Sequence, residues 1–371
     1  LLPIIIGDKT MRLLFSISFL LILSIQTTTA AIPRIINGKR AKPEQWPWMV
    51  AILESDSSSP AEGQFCAGSL IHPAWVLTSA HCTEGETVHS IKVLLGRDTL
   101  SDEQTGEIIE IKQIITHPDY DHDPENPSAD VALLELAKPS TQPILRIAER
   151  YSDLTQPGKL ATIIGWGATK VYRYNPQYPD SLQQATVPII SNEVCNSPLS
   201  YNGDIQETML CAGFKAGGID ACTGDSGGPL VIKTDEGWQQ IGTVSWGEGC
   251  ALPNYYGVYS RVSSFQEYIT QMICKTEDPL LPPTLQIEVT EQQVTASWTT
   301  VNRAEGYQFY YAPYSAPVTE VTFNNIHSFD IGKQTSFSAI LKSGTHFYIA
   351  IQAYRGNCYS ARSNVGTILI P

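Results

Sequence analysis

The run "IDACTGDSGGPL", residues 219–230, sets an acid, Asp225, directly before a serine, Ser226, and surrounds the pair with Gly224, Gly227 and Gly228. Glycines mark places where the backbone takes conformations closed to other residues. A turn accounts for the glycines, and a solvated loop accounts for the aspartate. The chemical alternative is a serine presented for attack on a substrate. The run alone does not choose between these readings, so the choice falls to the rest of the chain.

Two other segments bear on it. "LTSAHC" (77–82) places His81 after small residues, and "ADVALLEL" (129–136) places Asp130 at the head of a buried-strand pattern. A histidine beside a cysteine is usually structural, and an aspartate before a strand is usually a turn acid. The order His, Asp, Ser, each with its flanks, is far more specific than any one of them. A serine hydroxyl is a poor nucleophile at its free pKa and needs a base to take its proton, which the histidine supplies.

With 371 residues the chain is long enough for two domains. Its net charge of −13 reads as a solvated acidic surface and argues against a nucleic-acid partner. Met11 and Arg12 open a signal-like segment with the apolar core "LLFSISFLLILSI" (13–25), followed by small residues up to Ala30. That core is shorter than the ~20 residues of a membrane span. Residues 1–30 are therefore expected to be upstream residues plus a signal peptide. The mature protein is expected to be secreted and extracellular, with no membrane span and with paired cysteines; a bacterial source would add a periplasmic stage. Short strand-like runs such as "IKVLLG" and "ATIIGWG" fill the remainder, and helix is expected only near 264–275. "KTEDPLLPP" (275–283) carries three prolines and reads as a stiff, exposed linker.

Residues 35–274 resemble the trypsin-like (chymotrypsin-fold) serine proteases. The resemblance is carried by "RIING", "WPWMVAI", "CAGSLIHPAWVLTSAHC", "DVALLEL", "GWGATK", "GDSGGPLV" and "VSWGEGCALPNYYGVYSRV". It implies an all-β fold, a double antiparallel β-barrel with the cleft between barrels. Ser226 is then the nucleophile, His81 the base and Asp130 its orienting acid. The N–H groups of Gly224 and Ser226 form the oxyanion hole. The family's activation step maps onto Arg34, Ile35 and Asp225: residues 31–34 are a short activation peptide, removed by an activating protease. Cleavage after Arg34 frees the Ile35 ammonium to insert beside Asp225, so the uncleaved chain is expected to be a zymogen with a poorly formed oxyanion hole. Asp220 falls at the floor of the pocket for the side chain before the cut. Gly247 and Gly257 are its walls, and Ser245, Trp246 and Gly247 are the strand that pairs with substrate. A carboxylate floor selects Arg or Lys. Ala221, where trypsin has serine, shifts the expectation toward Arg, because lysine loses a hydroxyl partner there.

The resemblance also marks departures. "GRDTLSDEQTGE" (96–107) aligns with the family's calcium loop but begins with Arg97 at a ligand position, so calcium is not expected and no metal is required. Tyr256 stands where sodium-activated members carry tyrosine, which leaves a Na⁺ site beside it as an open reading. The acidic loop "HPDYDHDPENPSAD" (117–130) overhangs the cleft or is simply solvated. Three family bridges are matched, Cys66–Cys82, Cys195–Cys211 and Cys222–Cys250. Cys274 and Cys358 remain; they pair with each other, or each bonds elsewhere or stays free.

Residues 284–371, after a linker at 276–283, alternate as short strands and resemble a fibronectin type III domain, a small β-sandwich. Phe347 stands where that family has a tyrosine, so another immunoglobulin-like sandwich stays open. No partner for this tail is legible. The expected function is a secreted endopeptidase that cleaves protein or peptide substrates after Arg, then Lys. The alternatives are a silent binding protein on the same fold and a chymotrypsin- or elastase-like specificity, against which Asp220 argues.

Overall fold

The computed structural model describes residues 35–121, 123, 127–149, 152–169, 176–276, 279–313, 328–356 and 358–370. The expected signal segment, Arg34, and parts of the acidic loop and the linker lie outside them. Among the described residues no helix is long and apolar enough to cross a membrane.

The protein is mostly β. Six antiparallel strands close a first barrel in the order Met49–Glu54, Gln64–His72, Trp75–Thr78, Ala132–Leu136, Glu107–Thr116, Ile91–Leu95. Their apolar residues alternate with the period of two that sends one face inward. Val50, Ile52, Leu70, Val76, Val93, Ile109 and Leu134 fill the interior, nearly all without exposure. A second barrel closes through Leu160–Gly165, Gln183–Ile190, Met209–Ala212, Gly257–Arg261, Gly237–Trp246 and Pro229–Thr234, the last pairing back to the first. Closure leaves few strand edges to attract other chains.

The barrels are joined by a third apolar cluster. Met49, Ala51, Leu53 and Leu94 of the first meet Ile164, Trp166 and Val231 of the second. A buried polar bond crosses the same interface, where Ser69 Oγ donates to Gln240 Oε1 at 2.6 Å. A polar pair so placed favours one docking of the barrels, since any slip would leave both groups buried and unpaired. The helix Val262–Thr276 returns to the first barrel and packs Val262, Phe265 and Ile269 against Trp75, Leu77, Val131 and Leu133.

The tail is a sandwich of two sheets. One contains Leu285–Thr290, Gln293–Trp298 and Ser336–Ile340; the other contains Ser328–Asp330, Gly306–Pro313, His346–Arg355, Cys358–Tyr359 and Gly366–Leu369. Trp298, Tyr307, Phe309, Ile349 and Ile351 form its core. Phe347 only flanks that core, and Tyr307 supplies a corner bond instead: its hydroxyl accepts the Val301 N–H at 2.8 Å. Leu280, in the stretch read as exposed linker, is buried with the sandwich core, so its apolar side chain anchors that end of the connection.

Four disulfides are present, Cys66–Cys82, Cys195–Cys211, Cys222–Cys250 and Cys274–Cys358. The fourth ties the C-terminal helix to the strand Cys358–Tyr359 of the sandwich. Proteolysis within 276–283 should therefore leave the tail attached on a non-reducing gel and release it with dithiothreitol. Release without reductant would show that the bridge does not form.

Candidate active site

Each side chain of the site is held by a local feature with a physical reason. His81 sits in the short 3-10 turn Ala80–Thr83, and the Cys66–Cys82 bridge pins that turn to the strand beside it. Its ring Nδ1 lies 2.8 Å from Asp130 Oδ2, and its backbone N–H donates to Asp130 Oδ1 at 3.0 Å. Asp130 is 1% exposed, so a charge there depends on its donors. A further donor is Ser245, whose Oγ lies 2.5 Å from Oδ2. The Asp130 carbonyl accepts from Ser260 Oγ at 2.7 Å, directly after Ala129 at a φ of 48°. A non-glycine residue rarely takes that conformation, and the bond from Ser260 helps to hold the turn.

Ser226 reaches the same place from the second barrel. Its carbonyl accepts the Ala67 N–H at 2.7 Å, a bond between barrels. A Cβ on Gly227 would lie 2.1 Å from Thr78 Oγ1 and 2.3 Å from the Ala67 carbonyl, so only glycine lets the loop come so close. Among the described residues no hydrogen bond joins Ser226 Oγ to His81, whose Nε2 lies 3.8 Å from Cys82 Sγ. Bonds of this kind are often long before substrate binds. The Cys66, His81 and Cys82 grouping offers no thiolate to a metal, since both sulfurs share one disulfide.

Beside the serine, two amides are left over. Neither the Gly224 nor the Ser226 N–H donates to a protein acceptor among the described residues. The carbonyl of each peptide group is held: Ala168 N–H donates to Thr223 O at 2.8 Å, and Gly228 N–H to Asp225 O at 2.9 Å. Two unpaired N–H groups aimed from pinned peptides can stabilise a negative oxygen. Gly224 has a φ of 92°, which glycine adopts without strain.

Two buried carboxylates surround this loop, with no cation paired to either among the described residues. Asp225 is fully buried and accepts from Gly167 N at 2.8 Å and Cys222 N at 3.0 Å. Gly165 and Gly167 make room for it: a Cβ on either would fall 2.0 Å or 2.4 Å from its carboxylate. Burial pushes the Asp225 carboxyl up to about 7. Ile35 is itself fully buried in the core of the second barrel, and Ile36 bridges to Asp220. Asp220 accepts from Ala251 N at 2.9 Å through Oδ2, while Oδ1 is buried with no partner among the described residues. Burial pushes this carboxyl up to about 7 as well. A Cβ on Gly257 would sit 2.6 Å from Oδ1, so the glycine opens the space above the acid. Cys222–Cys250 closes the loop beside it.

Ser245 was singled out in sequence for its backbone; in the structure its side chain serves Asp130, and Gly247, two residues on, is exposed. Trp246 stacks edge-on against Tyr201, whose hydroxyl donates to the Tyr256 carbonyl at 2.6 Å. Sequence reasoning missed Tyr201, and it missed Gln64, which donates to the Gly224 carbonyl. Nothing in "GWG" (165–167) signals that its two glycines accommodate Asp225.

This geometry belongs to a recognised class, and the chain is a member of the trypsin family, whose family model, "Trypsin", matches residues 35–269. It is a serine endopeptidase. Mouse (Mus musculus) tryptase is 37% identical over 261 residues, spanning 65% of this chain and 89% of its own length.

Proposed function

We propose that the protein is a secreted zymogen whose mature form hydrolyses peptide bonds after arginine, and less readily after lysine. The observation that carries the specificity is the unpartnered Oδ1 of Asp220, buried beneath Gly257. An arginine fork satisfies it; an apolar side chain would leave it buried and unpaired, at a cost of several kcal/mol. Ala221 offers no hydroxyl to a shorter lysine, while guanidinium still pairs directly with the acid.

In this reading His81 Nε2 takes the Ser226 proton as Oγ attacks the carbonyl carbon. Asp130 holds the ring through Nδ1 and steadies the imidazolium, and His81 then protonates the leaving amine. Gly224 and Ser226 receive the oxyanion. Asp225 supports activation. It is a buried acid that lacks a cation among the described residues, beside a barrel core in which Ile35 is already seated. Ile35 has a φ of 47°, a strained value for a β-branched residue joined to a preceding peptide. Hydrolysis after Arg34 removes that constraint and supplies an ammonium. The mouse relative, a tryptase by name, supports a trypsin-like protease. Extracellular residence is supported by the four disulfides. The three- and five-stranded sheets support a fibronectin type III-like tail.

Mature protein with Ile35 at its N-terminus should cleave chromogenic Arg peptides, and Arg34→Gln should stay nearly inert after treatment with an activating protease. Ser226→Ala should abolish turnover with an unchanged melting curve. Asp220→Ser should lower kcat/KM on Arg peptides by about 10²–10⁴, the loss of a buried ion-pair partner. Equal turnover of Phe and Arg peptides would refute the assignment.

The raised Asp220 carboxyl gives binding a pH signature. The empty pocket holds a proton below about pH 7, and a cation must displace it. Benzamidine affinity should therefore fall about tenfold per pH unit below that value and level off above it. A flat profile between about pH 5 and 8 would show that Asp220 is ionised throughout.

Calcium does not fit the loop at 96–107. The buried Arg97 guanidinium donates to Thr105 O at 2.8 Å and Leu100 O at 3.1 Å, so carbonyls that could face a cation already face one. We extend the proposal to metal independence, with Na⁺ beside Tyr256 as the one cation left to test. EDTA should leave both Tm and activity unchanged, and replacing choline chloride by NaCl at constant ionic strength should raise kcat/KM if sodium binds. Loss of stability in EDTA would overturn the calcium reading.

A further inference from the structure

We propose that Gln64 is a positioning residue for the oxyanion hole, fixing the direction of the Gly224 N–H from across the barrel interface. This rests on the reading of Gly224 and Ser226 as the oxyanion donors. Gln64 begins the strand Gln64–His72 of the first barrel, at a β-bulge opposite Leu53. A bulge interrupts the alternation of side chains and can re-aim one of them. Here the Gln64 carboxamide turns toward the second barrel. Its Nε2 donates to the Gly224 carbonyl at 2.8 Å and to the Cys66 carbonyl at 3.1 Å.

The physical need is specific to a glycine. Gly224 has no side chain to fix its conformation, and its N–H points wherever its two flanking peptide groups allow. Ala168 N–H holds the preceding peptide by Thr223 O. The following peptide is held at its N–H by the turn bond from Asp225 to Cys222 O, and at its carbonyl by Gln64. Gln64 is the one side chain among the described residues that donates to this loop. Without it the buried Gly224 carbonyl loses its donor, and rotation of that peptide toward water becomes favourable. The other acceptor, Cys66 O, belongs to the bridge that pins the His81 turn. One carboxamide thus ties the peptide that follows the Gly224 N–H to the support of the base.

The test uses mature full-length enzyme with Gln64→Ala and the isosteric Gln64→Glu. Three readouts separate roles. An Arg p-nitroanilide gives kcat and KM, benzamidine reports the Asp220 pocket alone, and a peptidyl-arginine aldehyde places its hemiacetal oxygen in the oxyanion position. Gln64→Ala should lower kcat and aldehyde affinity together by about tenfold, below the roughly 10²–10³ that follows deletion of a donor outright. KM and benzamidine affinity should not move. Gln64→Glu carries no proton to donate when ionised and faces two carbonyls. Its defect should exceed that of Gln64→Ala near pH 8 and shrink, relative to unsubstituted enzyme, toward about pH 5 as the carboxyl regains a proton. Should the alanine variant fail to fold, this pH comparison decides alone. Equal losses for aldehyde and benzamidine, no loss for either, or a Glu variant equal to the native enzyme near pH 8 would overturn the proposal. Failure of the unsubstituted enzyme to cleave the arginine peptide would instead overturn the specificity reading, a result independent of these ratios.

Discussion

A carboxylate with no exposure and, among the described residues, no cation, that of Asp225, is the constraint around which the second barrel's loops are arranged. Two amides donate to it, and two glycines are empty of side chains because it fills the space they leave. Amide donors alone do not offset the loss of water around a full charge. The group therefore holds its proton to about pH 7. In the unfolded chain the same group ionises near 4, so this acid costs the fold stability increasingly as pH rises from about 4 to 7. An ammonium at the same place would reverse that sign. A local electrostatic deficit of this kind makes a loop responsive to a single new charge.

The second organising feature is that neither barrel holds the site alone. His81 and Asp130 come from the first barrel, and Ser226 and the free amides from the second. The Ala67 to Ser226 bond and the close approach of Gly227 to Thr78 set the distance between the two halves. The interface cluster of Leu53, Leu94, Trp166 and Val231 then resists any relative shift, because close-packed side chains have no vacant volume to slide into. Ser69 and Gln240 add direction to that contact.

Much of this was legible because each motif carries its own chemical reason. The strand periodicity predicted a β fold, and the helix expected near 264–275 spans Val262–Thr276. The glycines of "GDSGG" announced a constrained loop. What escaped were contacts between residues far apart in sequence. Gln64 and Gly224 are separated by 160 positions, and a single glutamine before "FCAG" has no pattern to distinguish it. Ser245 was read for its backbone, since a serine in a strand does not reveal which way its hydroxyl turns. Leu280 looked exposed because prolines dominate its surroundings, and only the sandwich core shows where its side chain goes.

The pairing of Cys274 with Cys358, 84 positions apart, has a consequence for how the tail comes undone. Nearly the whole sandwich is enclosed in a covalent ring hung from the C-terminal helix. When it unfolds it becomes a tethered loop rather than a free end, and ring closure of that size withholds about 4–5 kcal/mol of chain entropy at 25 °C. The sandwich can thus be a modest folder by itself and still persist for as long as the ring stays shut.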